Sequence, residues 1–315
     1  MRTLAALIVA FLLYLLASTY LNRGYPDGPT SRTAAVESVA VVGRHSHDPQ
    51  AYTQGFFFHD DGFFESTGLY GQSSVRRTGI DGQVTRQVML PANVFGEGLT
   101  FQHNRLIQLT WKARTGFVRH PETLEVVDIF GLPGEGWGLT HTADHLIMSD
   151  GTNILRFLDP ETFHVFRELP VSENGKAIGR LNELEWVDGE IFANVYQTPY
   201  IVRIAPDSGK VLGWIDLSPL VAEMGKPPGV ANGIAYDAIN RRLFVTGKHW
   251  PWVYEVARVR NDRNPDTARY SITHPSPEFS RRIQSSPSND CPLNNQSCSH
   301  SHHAASTLKS NRCTT

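Results

Sequence analysis

Apolar residues in this chain fall in short runs broken by polar turns, and one pattern opens such a run five times. A polar or aromatic residue precedes a small or acidic one, and a hydrophobic stretch follows. The copies are Thr53-Gln54-Gly55-Phe56, Gly96-Glu97-Gly98-Leu99, Gly136-Trp137-Gly138-Leu139, Leu181-Asn182-Glu183-Leu184 and Ala231-Asn232-Gly233-Ile234. The steps from Gln54 to Glu97, Trp137, Asn182 and Asn232 are 43, 40, 45 and 50 residues. A period of about 40–45 residues built from short strands marks a β-propeller with one blade per repeat.

Further strand sets recur in step. The second runs through Phe64–Gly68, Leu106–Lys112, Leu146–Gly151, Ile191–Thr198 and Leu243–His249. The third contains Val75–Thr78, Thr115–Arg119, Ile154–Leu158, Ile201–Ile204 and Trp252–Val256. The fourth contains Val84–Leu90, Leu124–Ile129, His164–Leu169 and Val211–Leu217. Asp81-Gly82, Asp159-Pro160-Glu161-Thr162 and Asp207-Ser208-Gly209 supply turn chemistry between the third and fourth sets. The last repeat has no fourth strand, whereas Ser38-Val39-Ala40-Val41-Val42 has strand character and no repeat of its own. That N-terminal strand is expected to complete the last blade and close the ring, leaving no unpaired edge. The expectation is an all-β, five-bladed propeller of four-stranded blades over residues 36–259. A sandwich or open barrel also suits short strands, but gives no reason for four sets to recur in phase.

Composition adds limits. Net charge is −2 over 315 residues, with no basic stripe, which argues against nucleic acid as a partner. The three cysteines, Cys291, Cys298 and Cys313, all lie outside residues 36–259, so no disulfide or thiolate nucleophile belongs to the propeller. Arg2 followed by the apolar run Leu4–Ala17 reads residues 1–21 as a signal peptide or signal anchor, with 22–35 as a linker. Both a cleaved leader and a membrane anchor fit, and either sends the domain to the secretory pathway, extracellular or periplasmic. Residues 260–315 turn to Ser, Asn, Pro, Thr and His and read as a disordered tail. A monomer is expected.

If each motif opens the innermost strand of its blade, Gln54, Glu97, Trp137, Asn182 and Asn232 meet at one mouth of the central channel. The second strands return to the same face and bring Trp111, Tyr196 and Lys248. Glu97 is the only carboxylate among the five leading residues, and an apolar surround should raise its pKa and suit it to proton transfer. Lys248 and Asn182 are donors suited to a developing oxyanion. Trp111 and Trp137 read equally as pocket walls or as channel filling. Asp60-Asp61-Gly62 is read as a hairpin turn, and His45-Ser46-His47-Asp48 as a structural lead-in before Pro49.

Several segments together carry a family resemblance. They include His47-Asp48-Pro49 with Tyr52-Thr53-Gln54-Gly55, Phe95-Gly96-Glu97-Gly98-Leu99-Thr100 and Gln108-Leu109-Thr110-Trp111-Lys112. Gly134-Glu135-Gly136-Trp137, Leu181-Asn182-Glu183-Leu184-Glu185 and Phe244-Val245-Thr246-Gly247-Lys248 continue the series. The chain resembles the plant and bacterial glutaminyl-peptide cyclotransferases between Val41 and Val256. The resemblance implies an enzyme that turns N-terminal glutamine of peptides or proteins into pyroglutamate with loss of ammonia, without metal or other cofactor. Carried over by position, it implies Glu97 as the proton-transfer carboxylate and Asn182 and Lys248 as its polar partners. Gln54, Trp111 and Trp137 match the substrate pocket, whereas Tyr196 stands where a tryptophan is expected. Two rivals are a lactonase-like hydrolase with a metal held by Glu97, Asn182 and Asn232, and a non-catalytic peptide-binding propeller.

Overall fold

A computed structural model describes residues 33–225 and 229–260. The leader, nearly all of the linker and the polar tail with its cysteines lie outside the described residues. Among the described residues the chain is all-β apart from one short helix, α1 (Ser218–Glu223).

After β1 (Val36–Ser46), the strands form antiparallel sets of four in chain order. The first sheet is β2 (Thr53–His59), β3 (Gly62–Thr67), β4 (Ser74–Gly79) and β5 (Val84–Met89). The second is β6 (Gly96–Gln102), β7 (Arg105–Thr110), β8 (Thr115–Arg119) and β9 (Val126–Gly131). The third is β10 (Leu139–His141), β11 (Leu146–Met148), β12 (Ile154–Leu158) and β13 (Val165–Pro170). A short hairpin, β14 (Ser172–Glu173) and β15 (Lys176–Ala177), precedes β16 (Leu181–Val187), β17 (Glu190–Val195), β18 (Tyr200–Ile204) and β19 (Val211–Asp216). The last set is β20 (Ala231–Asp237), β21 (Arg242–Gly247) and β22 (Trp252–Arg260), and β1 lies antiparallel beside β22 as its fourth strand. A short parallel pairing, Val36 with Trp214 and Glu37 with Ile215, joins β1 to β19 and merges these last two sets into one eight-stranded sheet.

Burial grades from the first strand of each sheet to the fourth. β2, β3, β6 and β7 are buried almost throughout, whereas β5 and β9 are exposed along nearly their whole length. The first strands pack against one another, β2 on β6, β6 on β10, β10 on β16, β16 on β20, and β20 on β2. Hydrophobic clusters fill the spaces between consecutive sheets. Phe57 and Phe64 meet Leu99 and Leu106, while Phe56 and Phe63 meet Ala235, Phe244 and Val253 of the last sheet. Phe56 stacks on Phe63 at 4.7 Å between ring centres, and Phe58 stacks on Phe244 at 5.5 Å. Burial of one such ring is worth about 1.5–3 kcal/mol, so these seams are the main apolar glue.

The hairpins follow local chemistry. Asp60 and Asp61 have φ of 48° and 59°, and His103 and Asn104 have 51° and 59°. Positive φ at both central residues is the two-residue turn whose twist matches that of the flanking strands. In the longer turn after β12, Asp159 Oδ1 accepts from the backbone N–H groups of Glu161 (3.0 Å) and Thr162 (2.7 Å).

Candidate active site

The repeated motif turns out to be a repeated irregularity. The ladder between first and second strands slips between Thr53 and Gly55, Gly96 and Leu99, Leu181 and Leu184, and Ala231 and Ile234. Such bulges leave a residue unpaired and re-aim its side chain. Gln54, Glu97, Asn182 and Asn232 occupy these slips. In the third copy the ladder starts only at Leu139, so Trp137 stands ahead of it, its backbone N–H donating to Ser149 O at 3.0 Å.

The residue after each leading position explains the motif's second half. A Cβ on Gly55 would collide with the backbone N of Leu99, one on Gly98 with that of Leu139, and one on Gly138 with Asn182 O. Neighbouring first strands approach too closely there for a side chain. The fourth copy has Glu183 in place of glycine. Its carboxylate accepts from Phe56 N–H (3.3 Å) and Ile234 N–H (2.8 Å), tying β16 to β2 and β20.

A buried polar network forms around Gln54. Lys248 Nζ donates to Gln54 Oε1, and Asn232 Nδ2 donates to the same oxygen at 3.2 Å and to Thr53 O at 3.0 Å. Gln54 also provides a hydrogen-bonding contact to Glu97. The Lys248 ammonium lies 4.3 Å from the ring centre of Tyr52 and 5.6 Å from that of Tyr196, within cation–π range. The side-chain oxygens of Asn182 and Asn232 are buried without a hydrogen-bond partner among the described residues. Buried acceptors of this kind call for a donor.

The aromatic wall has its own organiser. Trp111 Nε1–H (2.7 Å) and Trp137 Nε1–H (3.1 Å) both donate to Glu135 Oε2. Trp111 meets Phe95 edge-on at 5.4 Å, and Trp137 meets Tyr196 edge-on at 5.7 Å. All four of these rings are half-buried, in keeping with a wall open to solvent on one side.

Electrostatics push the two charged groups toward neutrality. Burial drives the Glu97 carboxyl well above the usual carboxylate range; Glu135 adds to the rise, and Lys248 and Gln54 offset only part of it. Burial also brings Lys248 down to about 8, against the pull of Glu97. Two further carboxyls lie on β16. Burial, with Glu185 nearby, holds Glu183 well above the usual range. Burial raises Glu185 to about 8 despite a hydrogen bond from Tyr236 N–H at 2.9 Å.

Thus Gln54, Glu97, Trp111, Trp137, Tyr196, Lys248 and Asn232 are linked by contacts running through Gln54 and Glu135. Asn182 joins through its backbone, whose O accepts from Ser149 Oγ at 2.7 Å; its side-chain oxygen stands apart from the network. Sequence reasoning singled out neither Glu135 nor Glu183. Glu183 had a signal, because it breaks the glycine pattern of the other four copies. Glu135 had only its place two residues before Trp137.

Comparison with known proteins agrees with this geometry. A family model described as glutamine cyclotransferase matches residues 10–258. A glutaminyl-peptide cyclotransferase of Arabidopsis thaliana is 42% identical over 228 residues, covering 70% of this chain and 71% of the relative. The crystal structure of Myxococcus xanthus glutaminyl cyclase superposes with a TM-score of 0.68 at 33% identity, over 71% of this chain and 98% of that one. Strand sets, bulged motifs and pocket residues all fall within the matched span, and the chain belongs to the glutamine cyclotransferase family.

Proposed function

We propose that this chain acts as a glutaminyl-peptide cyclotransferase on peptides and proteins with a free N-terminal glutamine, with Glu97 as its proton-transfer group. The substrate's own α-amine attacks the carbon of its side-chain carboxamide. A C–N bond forms and closes a five-membered ring, the carboxamide C–N bond breaks, and ammonia leaves. Glu97 takes the proton from the attacking amine and passes it to the departing nitrogen. Lys248 and Asn182 stabilise the oxygen that becomes negative in between, a role in which loss of one donor costs about 10²–10³-fold. Gln54, Trp111, Trp137 and Tyr196 bind the glutamine and hold amine against carbonyl, because closure depends on geometry. The nucleophile belongs to the substrate, so no serine or cysteine is required.

The observation that carries this reading is the pairing of Glu97 and Lys248. Both are buried, both contact Gln54, and among the described residues no direct ion pair joins them. Burial raises the proton affinity of Glu97 and lowers that of Lys248, and neither is locked by a direct ion pair with the other. A lactonase-like metal site on Glu97, Asn182 and Asn232 fits less well, because the Lys248 ammonium already bonds the amide that Asn232 bonds and would repel a divalent cation.

Glu97→Gln is the direct test, with ammonia release from a glutaminyl amide as the readout. Turnover should fall about 10²–10⁴-fold with melting temperature and binding of an unreactive analogue preserved. A variant of near wild-type rate removes Glu97 from the role.

The same reading includes a closed ring of five four-stranded blades. Its support is the cyclic packing of β2, β6, β10, β16 and β20 and the pairing of β1 with β22. The apolar run Leu4–Ala17 behind Arg2 supports entry to the secretory pathway, where newly exposed N-terminal glutamines arise by processing.

A further inference from the structure

We propose that Glu135 is the positioning residue of the pocket: one of its carboxylate oxygens holds the indoles of Trp111 and Trp137 in a single orientation and sets a negative charge beside Glu97. The inference rests on the reading of Glu97 as the proton-transfer group. Each indole has one donor, and both spend it on Glu135 Oε2, at 2.7 and 3.1 Å. Trp111 follows β7 of the second sheet and Trp137 precedes β10 of the third, so the carboxylate ties together rings from two sheets.

Its own segment is fixed on both sides. Gly136 N–H donates to Thr110 O at 3.1 Å, next to Trp111, and a Cβ on Gly136 would press on Leu109 at 2.9 Å. Trp137 in turn covers Gly151, where a Cβ would meet the ring at 2.8 Å. The ring–ring contacts are edge-on, with Phe95 and Tyr196, and the Lys112 ammonium lies 4.1 Å from the centre of the Trp111 ring; such contacts bring groups close without fixing where the N–H points. Glu135 supplies that direction. Its charge also favours the protonated form of Glu97. One side chain therefore orients the wall and adds to the burial-driven rise in the proton affinity of the base.

The test compares Glu135→Gln and Glu135→Ala with wild type in the full chain. The readouts are kcat and KM against pH on a glutaminyl peptide, and the indole ¹H–¹⁵N resonances of Trp111 and Trp137. Glutamine keeps an acceptor for both indoles, so KM should stay within about twofold and both resonances should remain hydrogen-bonded in character. Loss of the charge should move the acid limb of kcat/KM to lower pH. Alanine should raise KM about tenfold with a smaller change in kcat, and shift both indole resonances.

Unmoved resonances in Glu135→Ala, or an acid limb in Glu135→Gln matching wild type, would overturn the proposal. If the alanine variant does not fold, the acid limb of the glutamine variant decides. A wild-type protein silent on glutaminyl peptides overturns the catalytic reading alone, since the alanine variant's resonances still report whether Glu135 holds the rings.

Discussion

Two carboxylates of this domain are buried to nearly the same depth and behave in opposite ways. Glu65 on β3 is 1% exposed and Glu97 on β6 is 4% exposed. Burial pushes both upward. At Glu65 that push is overcome by Arg76 and His47, and the carboxyl falls to about 2. Arg76 Nε donates at 2.8 Å, Thr53 Oγ1 at 2.7 Å, and His47 Nε2 lies at 3.2 Å, while Arg76 also reaches Asp48 at 2.7 Å. Glu97 has no such shell. It faces an amide, a second carboxylate and an ammonium outside ion-pair distance, and burial wins. Depth alone does not fix proton affinity; the partners do. The ion-paired cluster ties the lead-in to β2 onto the first sheet, and the carboxyl without an ion pair remains free to exchange a proton.

The largest effect should come from breaking the ion-paired cluster. Arg76→Met leaves Glu65 buried and uncompensated, which should cost about 3–5 kcal/mol in urea unfolding, with turnover per folded molecule little changed. Glu97→Gln should show the reverse, lost turnover at unchanged or higher stability. Lys248→Met comes next, with kcat down about 10²–10³-fold at similar KM. An unchanged kcat would remove Lys248 from the oxyanion role.

A smaller effect appears in pH dependence. Lys248 must be protonated to act as a donor, so kcat/KM should fall as pH rises through about 8. Lys248→Arg, which keeps its proton, should lose that limb in whatever activity remains. The gentlest contrast is in stability. Glu65 is depressed in the fold, so its contribution is present above its ordinary value of 4.5 and is lost as pH falls toward about 2. Burial lowers His47, but Glu65 together with the bond to Trp250 O raises it on balance, so its contribution is present below 6.5 and fades as pH climbs through the raised value. Melting measured from pH 2 upward, with Glu65→Gln as control, should show a larger acid loss in wild type than in the variant.

Strand order was legible because alternating apolar runs and Asp- or Gly-bearing turns encode it locally. The first-strand starts Thr53, Gly96, Leu181 and Ala231 coincide with the motif copies. Pairing of Ser38–Val42 with the final strand was also readable, from one missing and one surplus strand. The bulges were not, since a slip in register depends on the neighbouring strand as well as its own sequence. Their signature, a polar residue followed by glycine, was visible without its cause. The Glu65 cluster escaped for a related reason. His47 and Asp48 were read as a lead-in, and nothing local says that Arg76 and Glu65 fold back onto them. Glu135 lay hidden in the same way, its role created by two indoles brought in from different sheets.

The contrast between the two carboxyls is open to direct observation. Carboxyl ¹³C resonances of Glu65 and Glu97, assigned through the two glutamine variants, can be followed from pH 2 to pH 9. Glu65 should stay ionised down to the acid end, while Glu97 takes up its proton well above 4.5. Ionisation of both carboxyls in the ordinary range, or of Glu97 below Glu65, would contradict the assignment of Glu97 as the group that moves the proton.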